Sequence, residues 1–250
     1  IQGALTLLSP SFHDRGKAVI AGLTKSLDNS SYLRPEMRLL LIKLVSLHSD
    51  TPALEAQIKS FLDDLPSMQM SFSESPHIDQ RWRDWNFLYQ FCSDLKAPEG
   101  LEADILAVQI VCVSQVQKWS EAEKMLTEGM KRFPLHPKLF LAQLHMLILM
   151  QRWPEVRTLM KAANLTSDAS INWMFAKACL EENNKSCAEL YLNPLAQKNV
   201  ISSATYVLQA QCQCTEKVSD SCRFAITQGL AQDPLSTSLL RIKFKIEAGL

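Results

Sequence analysis

The chain has 250 residues, in which 26 Lys plus Arg balance 26 Asp plus Glu, and only 7 residues are glycine. Balanced charge removes the phosphate-neutralising attraction on which nucleic-acid binding depends, and scarce glycine among abundant helix formers argues against a sheet-rich fold. No apolar run reaches the ~20 residues of a membrane span. The longest, Leu39 to Leu47 and Leu144 to Met150, contain Lys43 and His145 and read as buried helix faces.

Ile1 in place of an initiating Met reads as the start of a mature or excised fragment, which leaves a lost targeting segment or membrane anchor open. Residues 1–66 predict helical hairpins. Ser9-Pro10 starts a helix to about Leu27, Arg34-Pro35-Glu36 a second to His48, and Thr51-Pro52 a third to Leu65. Residues 67–100 predict a loop and an aromatic-rich helix. Periodicity stops in the Ser-, Pro- and Met-rich stretch Pro66 to Pro76, and a helix from Ile78 to Leu95 then carries Trp82, Trp85, Phe87 and Phe91. An exposed aromatic face there would mark an interface; a buried one would plug the junction between the N-terminal helices and the C-terminal part of the chain.

Residues 101–250 repeat themselves. Trp85, Trp119 and Trp153 keep a constant step of about 34 residues; the same step reaches Cys187, and one shorter by two reaches Ser219. Trp85 has no convincing first helix before it. After Trp119, Ser120 and Glu123 form a capping-box pattern, and Pro134 ends the helix. At this step Ala122, Val156, Leu190 and Cys222 form one column, and Leu126, Met160 and Ile226 a second with Pro194 as its misfit. Gly129, Ala163 and Gly229 form a small-residue column, broken by Gln197, while Leu106, Phe140, Met174 and Leu208 align in the preceding helices. Such a beat means one helical hairpin copied along the chain.

The stretch Trp119 to Pro137 with Phe140, Leu144, Leu147, Trp153 and Val156 resembles the tetratricopeptide repeat (TPR) family, and the resemblance extends over 101–250. Ile110 and Leu144 depart from it by filling a column the family keeps small. Pro194 departs by predicting a truncated second helix, and the last repeat is two residues short. The resemblance implies an all-α, right-handed solenoid of antiparallel hairpins whose first helices line a concave groove. Its lining would be Asp104, Ala107, Val111, Lys138, Leu141, His145, Ile148, Asn172, Phe175, Cys179, Tyr206, Gln209 and Gln213. The expected partner contacts are Lys138, Leu141, His145, Asn172, Phe175, Tyr206 and Gln209, holding an extended peptide or a helix. For Phe175 and Tyr206, ordinary packing between hairpins is the competing reading. The carboxylate clamp of one TPR subclass is missing, because its positions carry Ala107, Val111, Leu141 and His145.

Seven cysteines are present. Cys179 and Cys187 are eight residues apart, as are Cys214 and Cys222, and each pair straddles a predicted hairpin turn. Such placement suits a disulfide; free core thiols, a Cys212–Cys222 pairing or a metal site are the alternatives. The C-x7-C pairs resemble the disulfide-stapled helical-hairpin repeats of secreted bacterial proteins, which implies an oxidising compartment. Three Asn-x-Ser/Thr sequons, at Asn29, Asn164 and Asn184, are compatible with export.

No phosphate-cradling glycine loop, nucleophile elbow or metal-ligand spacing occurs, so no catalytic residue, metal or cofactor is expected. The expected function is a non-catalytic scaffold for a protein or peptide partner, in a periplasmic or other extracytoplasmic envelope or secretion complex. Two alternatives remain open: a substrate-guiding accessory domain of a larger membrane enzyme, and a cytosolic adaptor with reduced thiols.

Overall fold

A computed structural model describes residues 22–23, 25, 34–47, 51–65, 85–162, 168–197, 203–214, 219–234 and 236–248. Most of the predicted helix from Ser9 to Leu27, the loop Pro66 to Pro76, Trp82, and the sequons at Asn29 and Asn164 lie outside them. Among the described residues there is no strand, and twelve helices follow one another. They are α1 (Arg34–Leu47), α2 (Thr51–Asp63), α3 (Trp85–Ser93), α4 (Glu102–Gln115), α5 (Trp119–Arg132) and α6 (Pro137–Leu149). Then come α7 (Trp153–Ala162), α8 (Ala169–Glu181), α9 (Lys185–Gln197), α10 (Ser203–Gln213), α11 (Asp220–Gln232) and α12 (Thr237–Glu247). No helix is long and apolar enough to cross a membrane among these residues.

The chain divides into two compact units, Ile1–Asp64 with Trp82–Met146, and Leu65–Arg81 with Leu147–Leu250. The division falls inside α6, within the stretch expected to form one array. In the first unit α1 packs on α2, burying Leu39, Leu41, Ile42, Leu54, Ile58 and Phe61. Arg38 Nε holds Asp64 at 2.6 Å across that hairpin. Helix α3 then packs on α1 and α4. In the second unit α8 pairs with α9 and α10 with α11, while α12 packs on both α10 and α11.

The same turn closes three hairpins. Gln117, Gln151 and Asn183 each take a left-handed φ, of 58°, 55° and 56°. In each, the left-handed residue's N–H donates three residues back, to the carbonyls of Ser114, Ile148 and Leu180. The next N–H donates five back, from Lys118 to Val113, Arg152 to Leu147 and Asn184 to Cys179. This double bond pattern is the Schellman motif, which satisfies the carbonyls left over at a helix end. The residue that completes it stands immediately before the second helix, so one helix's stop is the next helix's start.

That arrangement displaces the expected capping box. Helix α5 already begins at Trp119, so Ser120 lies inside its first turn, and Lys118 at the cap position makes no side-chain capping hydrogen bond. Real side-chain caps occur at Asp168, which accepts from Ile171 N–H, and at Ser219, which accepts from Cys222 N–H.

The repeat register also differs from a constant step. Helix α9 begins at Lys185, two positions before a constant step from Trp153 would start it. The two-residue deficit therefore falls between Trp153 and Lys185, not in the last repeat. Ala122, Val156, Ala188 and Cys222 are the matched positions, and all four are fully buried. Leu190, which a constant step places there, is exposed. The same shift puts buried Leu192 in the column where Pro194 looked like a misfit. Pro194 lies inside α9 rather than ending it. Its missing N–H leaves the carbonyl of Leu190 without its helical donor, while buried Leu195 anchors the last turn.

The small-residue column is where helices touch most closely. A Cβ on Gly129 would lie 2.6 Å from Leu106 Cδ2 and 3.5 Å from Leu139 Cδ1. A Cβ on Gly229 would overlap Leu239 Cδ1 and lie 2.9 Å from Tyr206 Cβ. Leu106, Gly129 and Leu139 thus correspond to Tyr206, Gly229 and Leu239, so Tyr206 rather than Leu208 holds the column of Leu106. The turns after these helices agree. Phe133 N–H donates to Gly129 C=O and Asp233 N–H to Gly229 C=O, each followed by Pro-Leu.

Alanine in place of a helical glycine gains up to ~1 kcal/mol of helix propensity, against about 1–3 kcal/mol for overpacking. At Gly129 the nearest atom is the free end of a leucine, which can rotate away; at Gly229 the Tyr206 Cβ is tied to backbone. Gly129→Ala should therefore be near neutral and Gly229→Ala should destabilise by about 1 kcal/mol or more. Urea denaturation of the two variants checks this, and equal midpoints would contradict it.

Candidate interaction surface

The first helices of the hairpins supply the residues expected to line a groove. In α8 every residue from Ser170 to Ala176 is buried, and in α10 every residue from Ala204 to Ala210. The second helices differ. In α5 the buried residues are Ala122, Leu126 and Gly129, on one face, and the charged residues lie opposite.

The seven expected contact residues sit as follows. Lys138 pairs with the buried Asp104 carboxylate, which His136 Nε2 also approaches at 3.3 Å; the Lys138 side chain keeps 22% exposure. Leu141 is buried. His145 is fully buried and hydrogen-bonded to the Gln115 amide at 2.9 Å. Asn172 and Gln209 are buried. Phe175 meets Tyr191 of α9 edge-on, with ring centroids 5.3 Å apart, and Tyr206 meets Phe224 of α11 at 6.4 Å. Phe175 and Tyr206 thus pack inside their own hairpins, against the second helix. Of the other expected lining residues, Asp104, Ala107, Val111, Ile148 and Cys179 are buried, and Gln213 is half-buried.

Helix α3 is held by several contacts. Phe91 is buried beneath the Lys43 ammonium, 4.4 Å from its ring centroid. Tyr89 Oη donates to Glu121 at 2.9 Å, and the Lys118 ammonium lies 3.8 Å above the Tyr89 ring. The side chains of Trp85 and Phe87 lie outside the described residues. The described part of this helix is a plug on α1 and α4.

Three cysteine pairs stand at bonding distance. Cys179 and Cys187 have Cα atoms 5.7 Å apart, and Cys214 and Cys222 5.0 Å apart. Cys187 and Cys222 are each the third residue of their helix. Their N–H groups donate to Asn184 Oδ1 at 3.0 Å and Ser219 Oγ at 3.1 Å, so cap and staple fix the same turn. Cys214, not Cys212, is the partner of Cys222. Cys212 is buried with its thiol 3.6 Å from Lys185 C=O, and burial pushes its pKa up, with the nearby Glu189 carboxylate adding to the effect.

The third pair, Cys92 and Cys112, spans 20 residues with Cα atoms 6.5 Å apart and ties α3 to α4. Spacing alone does not reveal it, since neither cysteine has a counterpart one repeat away. The Gln109 amide donates to the carbonyls of Cys92 and Leu95, both at 3.3 Å, and closes the end of α3 onto α4. Among the described residues no group of three or more His, Cys, Asp or Glu is placed to hold a metal ion.

Cross-links of this loop length contribute about 2–4 kcal/mol by restricting the unfolded chain. Cys214→Ala with Cys222→Ala should lower the unfolding free energy by that order without loss of helix content. Denaturant titration followed by circular dichroism measures it; an unchanged midpoint would argue against the cross-link.

No protein-family model and no curated protein matches the chain. Among solved structures, a tetratricopeptide repeat protein from Parabacteroides merdae superposes with a TM-score of 0.53 at 9% identity, covering 98% of this chain and 97% of that one. At that identity the likeness is one of fold: this chain is an all-α array of helical hairpins of the tetratricopeptide repeat type.

Proposed function

We propose that the chain is a non-catalytic scaffold that holds a protein or peptide partner, and that it works in an oxidising extracytoplasmic compartment as part of a bacterial envelope assembly or secretion complex. The observation that carries this reading is the stapling of two consecutive hairpins at the same turn, by Cys179–Cys187 and Cys214–Cys222. Repeated hairpins present surfaces with little constraint on their own core, which suits partner holding. Disulfides at consecutive turns suit a compartment where thiols are not kept reduced. The groove residues named from the family resemblance remain part of the proposal. Lys138 is the member with an accessible charge; a partner reaching the others must part the hairpins.

Two measurements test the reading. Thiol labelling with peptide mapping on protein from its native compartment should modify Cys212 alone, and only after unfolding or at a pH above the usual thiol range, because labelling needs the thiolate. Free labelling of all seven cysteines would overturn the compartment. Chemical crosslinking in that compartment should give a defined adduct with another protein, and a chain that yields none while folded is no scaffold there.

A further inference from the structure

Of the three sequons, Asn184-Lys185-Ser186 is the one that lies among the described residues. It stands in the turn between α8 and α9, and the six residues from Glu181 to Ser186 are all exposed. A bulky, hydrated group has room there, as an N-linked sugar requires. This sequon also differs from the other two in what precedes it. Glu182 stands two residues before Asn184, where Leu27 precedes Asn29 and Ala162 precedes Asn164. An acid at that place completes the longer acceptor pattern, acid-x-Asn-x-Ser/Thr, of bacterial N-linked transfer.

The hydrogen bonds of the turn are compatible with a sugar on this side chain. Asn184 N–H donates to Cys179 C=O at 2.8 Å, and Asn184 Oδ1 accepts from Cys187 N–H at 3.0 Å. The cap of α9 thus uses the amide oxygen, whereas a sugar is attached through the amide nitrogen, Nδ2. A glycosylated Asn keeps its carbonyl oxygen, so one side chain can cap the helix and carry the sugar. Cys187, the residue after the sequon, belongs to one of the two staples on which the compartment reading stands.

We propose that Asn184 is an N-glycosylation site, modified by a membrane-bound transferase that uses a lipid-pyrophosphate-linked oligosaccharide as donor. In the transfer Asn184 Nδ2 bonds to C1 of the first sugar and gives up one proton to a base of the transferase. The bond from C1 to the phosphate oxygen breaks, and its electron pair leaves with the lipid pyrophosphate. No oxidant or reductant is needed. The site rests on the extracytoplasmic reading, because such transfer takes place on the far side of the membrane.

Peptide mapping by tandem mass spectrometry, on protein from its native compartment, tests the site. The peptide holding Asn184 should carry the added mass of an oligosaccharide in a measurable fraction of chains. Ser186→Ala should abolish that mass and Ser186→Thr should retain it; alanine favours the helix, so the fold is kept. Asn184→Asp should also abolish it while leaving an oxygen for the Cys187 N–H, with circular dichroism unchanged. Sugar that persists in Ser186→Ala overturns the assignment, as does a bare Asn184 in the native chain. Disulfide mapping of the same sample separates the two readings. A bare Asn184 with both staples formed removes the site and leaves the compartment standing. A bare Asn184 with all seven cysteines free removes both.

Discussion

Gly129 and Gly229 set the distance at which hairpins stack. Each lies against a large side chain of its own first helix and a leucine of the next, with no room for a methyl group on undisturbed neighbours. The contact locks three helices at once, because the same glycine touches both the helix before it and the helix after it. Close-packed interiors transmit such a constraint without slack. Ala122, Val156, Ala188 and Cys222 share full burial because the spacing leaves one narrow place for that face of each second helix.

The turns impose a second constraint in series with the first. A residue in the left-handed region costs about 1 kcal/mol when it is not glycine, yet this chain uses Gln117, Gln151 and Asn183. The cost is offset by two backbone hydrogen bonds at each site and by the immediate start of the next helix. In the hairpin of α8 and α9, Cys179 takes part twice: its carbonyl closes the turn and its sulfur is cross-linked to Cys187. Covalent and hydrogen-bonded closure therefore act on the same few residues.

These constraints determine where a partner has access. First helices held on several sides become interior, and so Asn172, Phe175 and Tyr206 are used in packing within the chain. Helix α5 shows solvent a charged face, whereas α9 and α11 expose Leu190 and Phe224. Among the described residues the exposed large apolar side chains are Leu47, Leu135, Leu190, Phe224, Leu240 and Phe244.

Sequence by itself determined the helical hairpins, their beat of about 34 residues, the small-residue column and two of the three cysteine pairs, because each is written in local spacing. It did not locate the two-residue deficit. The start of α9 at Lys185 makes the full step from Trp153 to Cys187 a coincidence, and only packing shows that Ala188 rather than Leu190 faces inward. Nor did it reveal Cys92 with Cys112, which meet because α3 docks on α4, or the burial of the first helices. Those outcomes depend on which surfaces neighbouring helices cover, and no spacing along one helix records its neighbours.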